Sequence, residues 1–173
     1  LLSGHDKAVR EGHPWVFSGA VGQASGDPAP GDVVRVLDAR GEFIAWGHYS
    51  PRSRIRVRLL DRGEDTVVDE AWWAERLTAA IGRRRAQLID PQGACRLVFS
   101  EADLLPGLVI DRYGDHCVLQ VHTPGAYAHD VPAPRSARSS AAFGADNSHG
   151  TGRSRVDANG VRQVDNLIKP DLV

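Results

Sequence analysis

The chain has 173 residues, of which 42% are apolar and 25% are charged, so it has room for one ordinary domain or two small ones and is not disordered throughout. Its formal net charge is −1, which means that any surface for nucleic acid must be a local one. Two cysteines without a CxxC pattern exclude a disulfide framework and fit a reducing cytoplasm, and no apolar run approaches the length of a membrane span.

The chain begins at Leu1 and contains no methionine. A complete translated gene should begin with one. We therefore expect a fragment, a processed chain, or a non-standard start codon read literally.

The first residues combine a basic segment, a turn and a short apolar strand. Lys7 and Arg10 precede a Gly-His-Pro turn that contains His13, and the strand runs from Trp15 to Phe17. We predict that Trp15 and Phe17 pack in the core of a small β domain. The functional alternative is that Lys7, Arg10 and the polar edge of His13 line a rim that contacts phosphates.

Two further predicted strands, residues 33–37 and 42–47, lead to a segment in which basic and apolar residues alternate. Because side chains on a strand alternate between two faces, the basic residues are predicted to project from one face and the apolar residues from the other, into a core. The basic residues are Arg52, Arg54, Arg56 and Arg58, and the apolar residues are Ile55, Val57 and Leu59. This row of arginines is a candidate phosphate-binding strip, and a solvated outer face is the alternative.

A helix is predicted after Asp69, which is a good N-cap residue. Its apolar positions recur at helical spacing: Trp73, Leu77, Ala80, Ile81 and Leu88. Three successive arginines, residues 83–85, lie near the C-terminal end of this helix, where the helix dipole favours positive charge. That structural role accounts for the triplet, and an RNA contact is the less favoured alternative.

Residues 96–120 are predicted to form a strand, a connector and a β-hairpin. The connector contains the acids Glu101 and Asp103, for which Asx-type turn bonds are the expected role. A Pro-Gly pair at residues 106–107 marks the turn before the hairpin. Nothing in this segment indicates catalysis.

Residues 126–173 are predicted to be a mostly disordered tail. From residue 131 onward the tail is rich in Ser, Ala, Gly and Arg and has one aromatic residue, so it cannot bury enough apolar surface to offset the entropy of ordering. The exception is Asn159 to Ile168, whose apolar positions predict a short helix.

Motifs of the common catalytic classes do not occur in the sequence: it has no G-x-S-x-G, no P-loop and no H-E-x-x-H. The seven histidines lack metal-ligand spacing. Cys95 and Cys117 lack the basic neighbour at a helix start that lowers the pKa of a thiol. We therefore predict no catalytic, cofactor-binding or metal-binding residue in this chain.

Four motifs follow one another, in order and with sensible spacing, between residues 1 and 121. They are KAVREGHPWVFSG from Lys7, GDVV from Gly31, GHYSPRSRIRVR from Gly47, and EADLLPGLVIDRYGD from Glu101. Together they resemble the N-terminal part of the bacterial 23S rRNA cytosine-C5 methyltransferases of the large-subunit methyltransferase I type.

The resemblance implies an α+β, mostly β chain. Residues 1–62 would form a PUA-like small β barrel that binds RNA, and residues 63–125 a β-rich middle domain with one amphipathic helix. In the family a Rossmann-like domain follows, which binds S-adenosylmethionine and carries a cysteine nucleophile. The implied partner is ribosomal RNA, with no membrane and no DNA, and the resemblance allows a homodimer of the full-length enzyme.

The sequence departs from the family after Val121. No Gly-rich loop follows a strand, no acidic residue is placed for a ribose, and no Pro-Cys catalytic motif occurs. Cys95 and Cys117 cannot be mapped onto the catalytic cysteine. We therefore expect no Rossmann-like domain, no bound S-adenosylmethionine and no methyl transfer by this chain alone. The change in composition is typical of a frameshifted or truncated gene, which sequencing of the encoding locus would test.

The sequence supports one leading interpretation and two alternatives. The leading one is the RNA-recognition portion of an S-adenosylmethionine-dependent 23S rRNA methyltransferase, acting in the cytoplasm. The first alternative is a stand-alone PUA-type RNA-binding module without catalysis. The second is an inactive truncated gene product.

Overall fold

A computed structural model of the protein describes residues 1–85, 93–114, 116–128, 154–156 and 162–167. The predicted α+β, mostly β class is confirmed, because the described residues form two antiparallel sheets and a few helices. The chain divides into two compact units. The first unit comprises Leu1–Asp69 and Thr123–Asp130, and the second comprises Glu70–His122 and Val131–Val173.

The described residues of the first unit form one sheet, two short α-helices and one turn of 3-10 helix (Ser18–Ala20). Its strands pair antiparallel in the order β1-β4-β3-β2. The elements are α1 (Lys7–Arg10), β1 (Trp15–Phe17), β2 (Val33–Leu37), β3 (Phe43–Tyr49), β4 (Ile55–Asp61) and α3 (Pro124–Ala128). The predicted barrel is not closed: β1 and β2 are the two edges of the sheet, and no ladder joins them among the described residues.

The core of this unit lies on one face of the sheet. Val16 of β1 is opposite Val57 of β4, and Val36 of β2 is opposite Ala45 of β3. All four side chains are buried. Burying such side chains stabilises the fold by about 1–3 kcal/mol each.

The prediction that Trp15 and Phe17 pack in this core is wrong. The core residue of β1 is Val16, which is 1% exposed, whereas Phe17 is 48% exposed and Trp15 is half-buried. Because neighbouring side chains on a strand point to opposite faces, burying Val16 turns both aromatic side chains to the other face.

The second unit is built on one long helix, α2 (Glu70–Arg85), which begins directly after the predicted N-cap residue Asp69. The predicted apolar face is confirmed for Trp73, Leu77 and Ala80, which are all buried. Leu88 lies outside the described residues.

The predicted strand and hairpin of the second unit are confirmed as β5 (Cys95–Phe99), β6 (Leu108–Tyr113) and β7 (His116–Val121), which pair antiparallel. Arg96 of β5 lies directly opposite Asp111 of β6. The Arg96 guanidinium donates through Nε to Asp111 Oδ1 (2.7 Å) and through Nη2 to Asp111 Oδ2 (3.0 Å). This two-point ion pair fixes the register of the two strands.

Two strands come from the predicted tail: β8 (Ser154–Val156) and β9 (Arg162–Leu167). The prediction of a helix over Asn159–Ile168 is wrong, because β9 pairs antiparallel with β7 and with β8. The free edge of β7 supplies backbone partners for an extended segment, and the sequence does not reveal that edge. The predicted tail also includes residues 126–128, which form the end of the helix Pro124–Ala128 and are not disordered. The rest of the prediction falls on residues 129–153, 157–161 and 168–173, which lie outside the described residues.

A buried carboxylate joins α2 to the connector before β6. Asp103 has a side chain that is 1% exposed. Its Oδ1 accepts a hydrogen bond from Arg83 Nη2 (2.8 Å) and another from Arg84 Nη1, and its Oδ2 accepts from the Phe99 N–H (2.6 Å). The expected turn role of Asp103 and the expected dipole role of the arginines are therefore incomplete, since these groups form one ion cluster.

No helix in the described part of the chain combines the length and the apolar composition needed to cross a bilayer.

Candidate nucleic-acid interface

The predicted basic residues of α1 are engaged by acids of the same unit. Arg10 donates through Nε to Asp6 Oδ2 and through Nη2 to Asp38 Oδ2, both at 2.8 Å. The hydrogen bond to Asp6 raises the pKa of Arg10. Lys7 is exposed, and its Nζ lies 3.8 Å from Glu11 Oε1. Arg10 is therefore held by two carboxylates, whereas Lys7 has only a long contact between exposed side chains, and an RNA contact by either residue stays a prediction.

The prediction that four arginines project from one strand face is wrong, for two reasons. The first is that β4 begins at Ile55. Arg52 and Arg54 therefore lie in the turn before the strand, where the alternation of a strand does not apply.

The second reason is a break in the pairing of β4 with β1. Val16 pairs with Val57, but the next residue, Phe17, pairs with Ile55. Arg56 is therefore the extra residue of a β-bulge, and a bulge interrupts the alternation of side chains. Arg56 is half-buried, and its Nε has no hydrogen-bond partner within the described residues.

Arg52 and Arg54 are held on an ordered, exposed turn. The Ser53 N–H donates to the Ser50 carbonyl (3.2 Å), and the Ser53 hydroxyl accepts from the Ile55 N–H (3.1 Å). Both arginines are exposed, and neither forms a salt bridge with any residue that the structure describes. They are therefore available to an anion, unlike the arginine of α1.

Three rings cluster beside this turn. The centroids of His13 and Trp15 are 5.8 Å apart, those of His13 and Phe17 are 5.8 Å apart, and those of Trp15 and Phe17 are 6.3 Å apart. The backbone N–H of Ser18, the residue after Phe17, donates to the Arg54 carbonyl at 2.8 Å. This bond places the basic turn next to the end of β1.

A row of paired residues crosses the outer face of the sheet and begins at the three rings. Arg58 of β4 is the register partner of Trp15 on one side and of His48 on the other. His48 is 1% exposed, because α3 covers it: a Cβ at Gly125 would lie 2.1 Å from His48 Cγ. Trp15, at the other end of the row, is half-exposed.

We call this region the aromatic–arginine surface. It consists of His13, Trp15, Phe17, Arg52, Arg54 and Arg58. Seven residues are predicted to bind RNA. Of these, the structure brings His13, Arg52, Arg54 and Arg58 to this surface. Sequence reasoning missed Trp15 and Phe17 as members, although a valine between two aromatic residues on a short strand is a signal that the valine faces the core.

A second basic and aromatic group on the same sheet is satisfied internally. The Arg35 guanidinium lies 5.4 Å from the centroid of Phe43 and 5.7 Å from that of Trp46, and it pairs with Glu64. Trp46 Nε1 donates to the Gly63 carbonyl at 3.1 Å. These contacts hold the end of the first unit together, so we do not include the group in the interface.

Neither cysteine has the setting of an activated nucleophile. Burial is the largest influence on Cys117 and raises its pKa to about 11, so that it is a thiol at neutral pH. Cys95 is half-buried. No group of histidine, cysteine or acidic side chains in the described part of the chain has the arrangement of a metal site.

We expect Cys117 to resist thiol reagents in the folded chain. In a Cys95→Ser background, its rate of reaction with a chromogenic disulfide reagent at neutral pH should be roughly two orders of magnitude below the rate in urea, since both access and thiolate fraction are reduced. Equal rates with and without urea would contradict the burial of Cys117.

The described residues do not fit S-adenosylmethionine. Rossmann-like folds hold that kind of ligand at a Gly-rich turn between a parallel strand and a helix. All strand pairs that the structure describes are antiparallel. No step of a methyl transfer can be assigned to these residues.

Comparisons with known proteins show that the chain is similar to ribosomal RNA large subunit methyltransferases. Residues 1–62 match the family model of a PUA-like domain. The chain is 40% identical over 127 residues to a protein of Deinococcus radiodurans named ribosomal RNA large subunit methyltransferase, and the match covers 70% of this chain and 31% of that protein. It is 39% identical over 130 residues to ribosomal RNA large subunit methyltransferase I of Tolumonas auensis, covering 75% of this chain and 33% of the relative.

A solved structure shares the fold. It is a protein from Streptococcus mutans assigned to the SAM-dependent methyltransferases, and it superimposes with a TM-score of 0.63 at 17% identity. The superposition covers 74% of this chain and 34% of that protein. The chain thus spans about a third of the length of the proteins that it matches.

Proposed function

We propose that the chain is the RNA-recognition portion of an S-adenosylmethionine-dependent enzyme that methylates cytosine C5 in 23S ribosomal RNA, because it is 39–40% identical to ribosomal RNA large subunit methyltransferases over 31–33% of their length. The PUA-like domain is the part that would bind RNA. The two free cysteines suit a cytoplasmic setting, where ribosomal RNA is modified.

One observation carries the assignment of the binding surface. Arg52 and Arg54 are exposed, lie on a turn ordered by Ser50 and Ser53, and form no salt bridge within the described residues. Two positive charges on one turn repel each other, and an RNA backbone would supply the opposite charge. Arg58, beside Trp15, extends this charge along β4.

The described residues contribute recognition, not chemistry. Methylation at cytosine C5 needs a thiolate that attacks the base and a bound methyl donor. Cys117 is buried with a raised pKa, and the described strands offer no site for the donor. We therefore expect no incorporation of tritiated methyl groups into unmodified 23S rRNA by this chain; incorporation above background would refute this part of the proposal.

The binding surface is tested by paired substitutions of arginine. Arg54→Ala should weaken binding of the full chain to an unmodified 23S rRNA transcript and should reduce the slope of log K against log salt by about 1, because one phosphate contact is lost. Arg10→Ala is the matched control: its guanidinium is occupied by Asp6 and Asp38, so the salt slope should not change.

The result also separates the alternatives. Binding that does not depend on salt, or equal effects of Arg54→Ala and Arg10→Ala, would leave the turn as a solvated surface. Binding with a normal salt slope but to any structured RNA with equal affinity would favour a stand-alone RNA-binding module.

A further inference from the structure

The outer face of β1 exposes more aromatic surface than the fold requires. Phe17 is 48% exposed on a strand whose neighbouring residue Val16 is 1% exposed. A strand that needs only one buried side chain would be more stable in water with polar residues on its outer face. Because this exposed ring belongs to a cluster of three rings, it offers a ligand a larger apolar contact than a single exposed ring would.

The three rings are arranged around one another and not stacked. Trp15 and Phe17 meet at 89°, His13 and Trp15 at 77°, and His13 and Phe17 at 48°. Edge-to-face contacts hold the rings in fixed relative orientations, and His13 and Phe17 remain exposed to solvent. His13 is fixed further, because its Nδ1 lies 3.2 Å from the Trp15 backbone N, which donates to it.

Positive charge borders this cluster. Arg58 is the register partner of Trp15, and the Arg54 carbonyl accepts from the N–H of the residue after Phe17. Exposed aromatic rings beside an exposed arginine turn match a nucleobase attached to a phosphate backbone, since the rings would take the base and arginine would take a phosphate. An apolar protein segment would offer no counter-charge to Arg54, which is exposed and forms no salt bridge with any residue that the structure describes.

We propose that His13, Trp15 and Phe17 form a platform on which the first unit stacks an unpaired base of RNA. This inference rests on the proposed function and extends it, because a phosphate contact alone recognises any RNA, whereas a stacked base requires an unpaired nucleotide. The platform restricts binding to loops, bulges or ends of a structured RNA.

The test compares a base with no base on the same backbone. Binding of the full chain to a short oligoadenylate and to an abasic ribose-phosphate strand of the same length is measured by anisotropy, and quenching of tryptophan fluorescence is recorded. We expect the oligoadenylate to bind about tenfold more tightly and to quench the fluorescence, because stacking on one aromatic side chain has an effect of that order. Phe17→Ala should remove about tenfold in affinity for the oligoadenylate and leave the abasic strand and the salt slope unchanged.

Two further variants keep the result interpretable. Phe17→Tyr keeps an aromatic ring. It should bind the oligoadenylate as tightly as wild type if Phe17→Ala loses affinity because the ring is gone. Phe99→Ala is the matched control, since Phe99 of the second unit is exposed to the same degree, at 49%, and should not affect binding to either strand.

The outcomes distinguish the platform from the proposed function. If wild-type chain binds both strands equally and Phe17→Ala changes nothing while Arg54→Ala lowers the salt slope, the platform is refuted and phosphate recognition stands. If neither strand binds and Arg54→Ala has no effect on binding to 23S rRNA, both are refuted.

Discussion

Replacing Asp103 by alanine is expected to destabilise the second unit by about 2–3 kcal/mol. The substitution removes the acceptor of Arg83, Arg84 and the Phe99 N–H and leaves that N–H without its partner. The loss stays below that of a fully buried ion pair because the Arg83 side chain is 53% exposed and that of Arg84 is 23% exposed. Urea unfolding measures the loss, and amide hydrogen exchange assigns it to the second unit.

Lowering the pH should also reduce the stability of the second unit. Burial alone would raise the pKa of Asp103, but the hydrogen bonds from Arg84, Arg83 and the Phe99 N–H outweigh it and hold the pKa below 3.8. The carboxylate therefore contributes its full stabilisation above about pH 4, and the contribution is lost as the pH falls through the lowered pKa. Asp103→Asn should flatten this part of the stability profile.

Glu75→Gln provides the control for both measurements. Glu75 is an exposed acid on the same helix, so its substitution should change stability by less than about 0.5 kcal/mol. Equal losses for Asp103→Ala and Glu75→Gln would show that the ion cluster does not contribute to stability.

Replacing Gly47 by alanine is expected to destabilise the first unit by about 3 kcal/mol, at the upper end of overpacking effects. A Cβ at Gly47 would lie 2.5 Å from Val57 Cγ1 and 2.7 Å from the Arg58 carbonyl oxygen. The backbone oxygen cannot move without breaking the pairing of β3 with β4. The strands therefore have to separate, and the row that holds Arg58 beside Trp15 is disturbed.

Thermal unfolding of the full chain measures this effect, and Gly82→Ala is its matched control. Gly82 is an exposed position of α2 with no atom within 4 Å of an added Cβ. Alanine there should stabilise the helix by about 0.5–1 kcal/mol. If Gly47→Ala were as stable as wild type, that result would contradict the close approach of β3 to β4 at Gly47.

Much of the architecture could be predicted from local patterns. The helical spacing of Trp73, Leu77 and Ala80 predicted α2, and the alternation and turn residues of 96–120 predicted β5, β6 and β7. Such patterns depend on interactions between near neighbours, which the sequence contains in full. The motifs shared with the rRNA methyltransferases are of the same local kind, and the relatives confirm that resemblance.

The candidate site could be predicted only in part. Its residue types were recognisable, but the alternation that placed four arginines on one face took no account of the bulge at Arg56. Whether Arg10 is free or paired depends on Asp38, which lies far from it in the sequence. Phe17 was assigned to the core because large aromatic residues are usually buried.

The sequence by itself therefore determined α2, most of the strands, the resemblance to the rRNA methyltransferases, and the kinds of side chain at the candidate interface. Only the tertiary structure decided which of those side chains meet at one surface, which cations are neutralised by distant acids, and that residues 162–167 pair with β7 as a strand. The physical reason is that strand register, bulges and ion pairs depend on partners that are distant in the chain. Local sequence patterns do not reveal those partners.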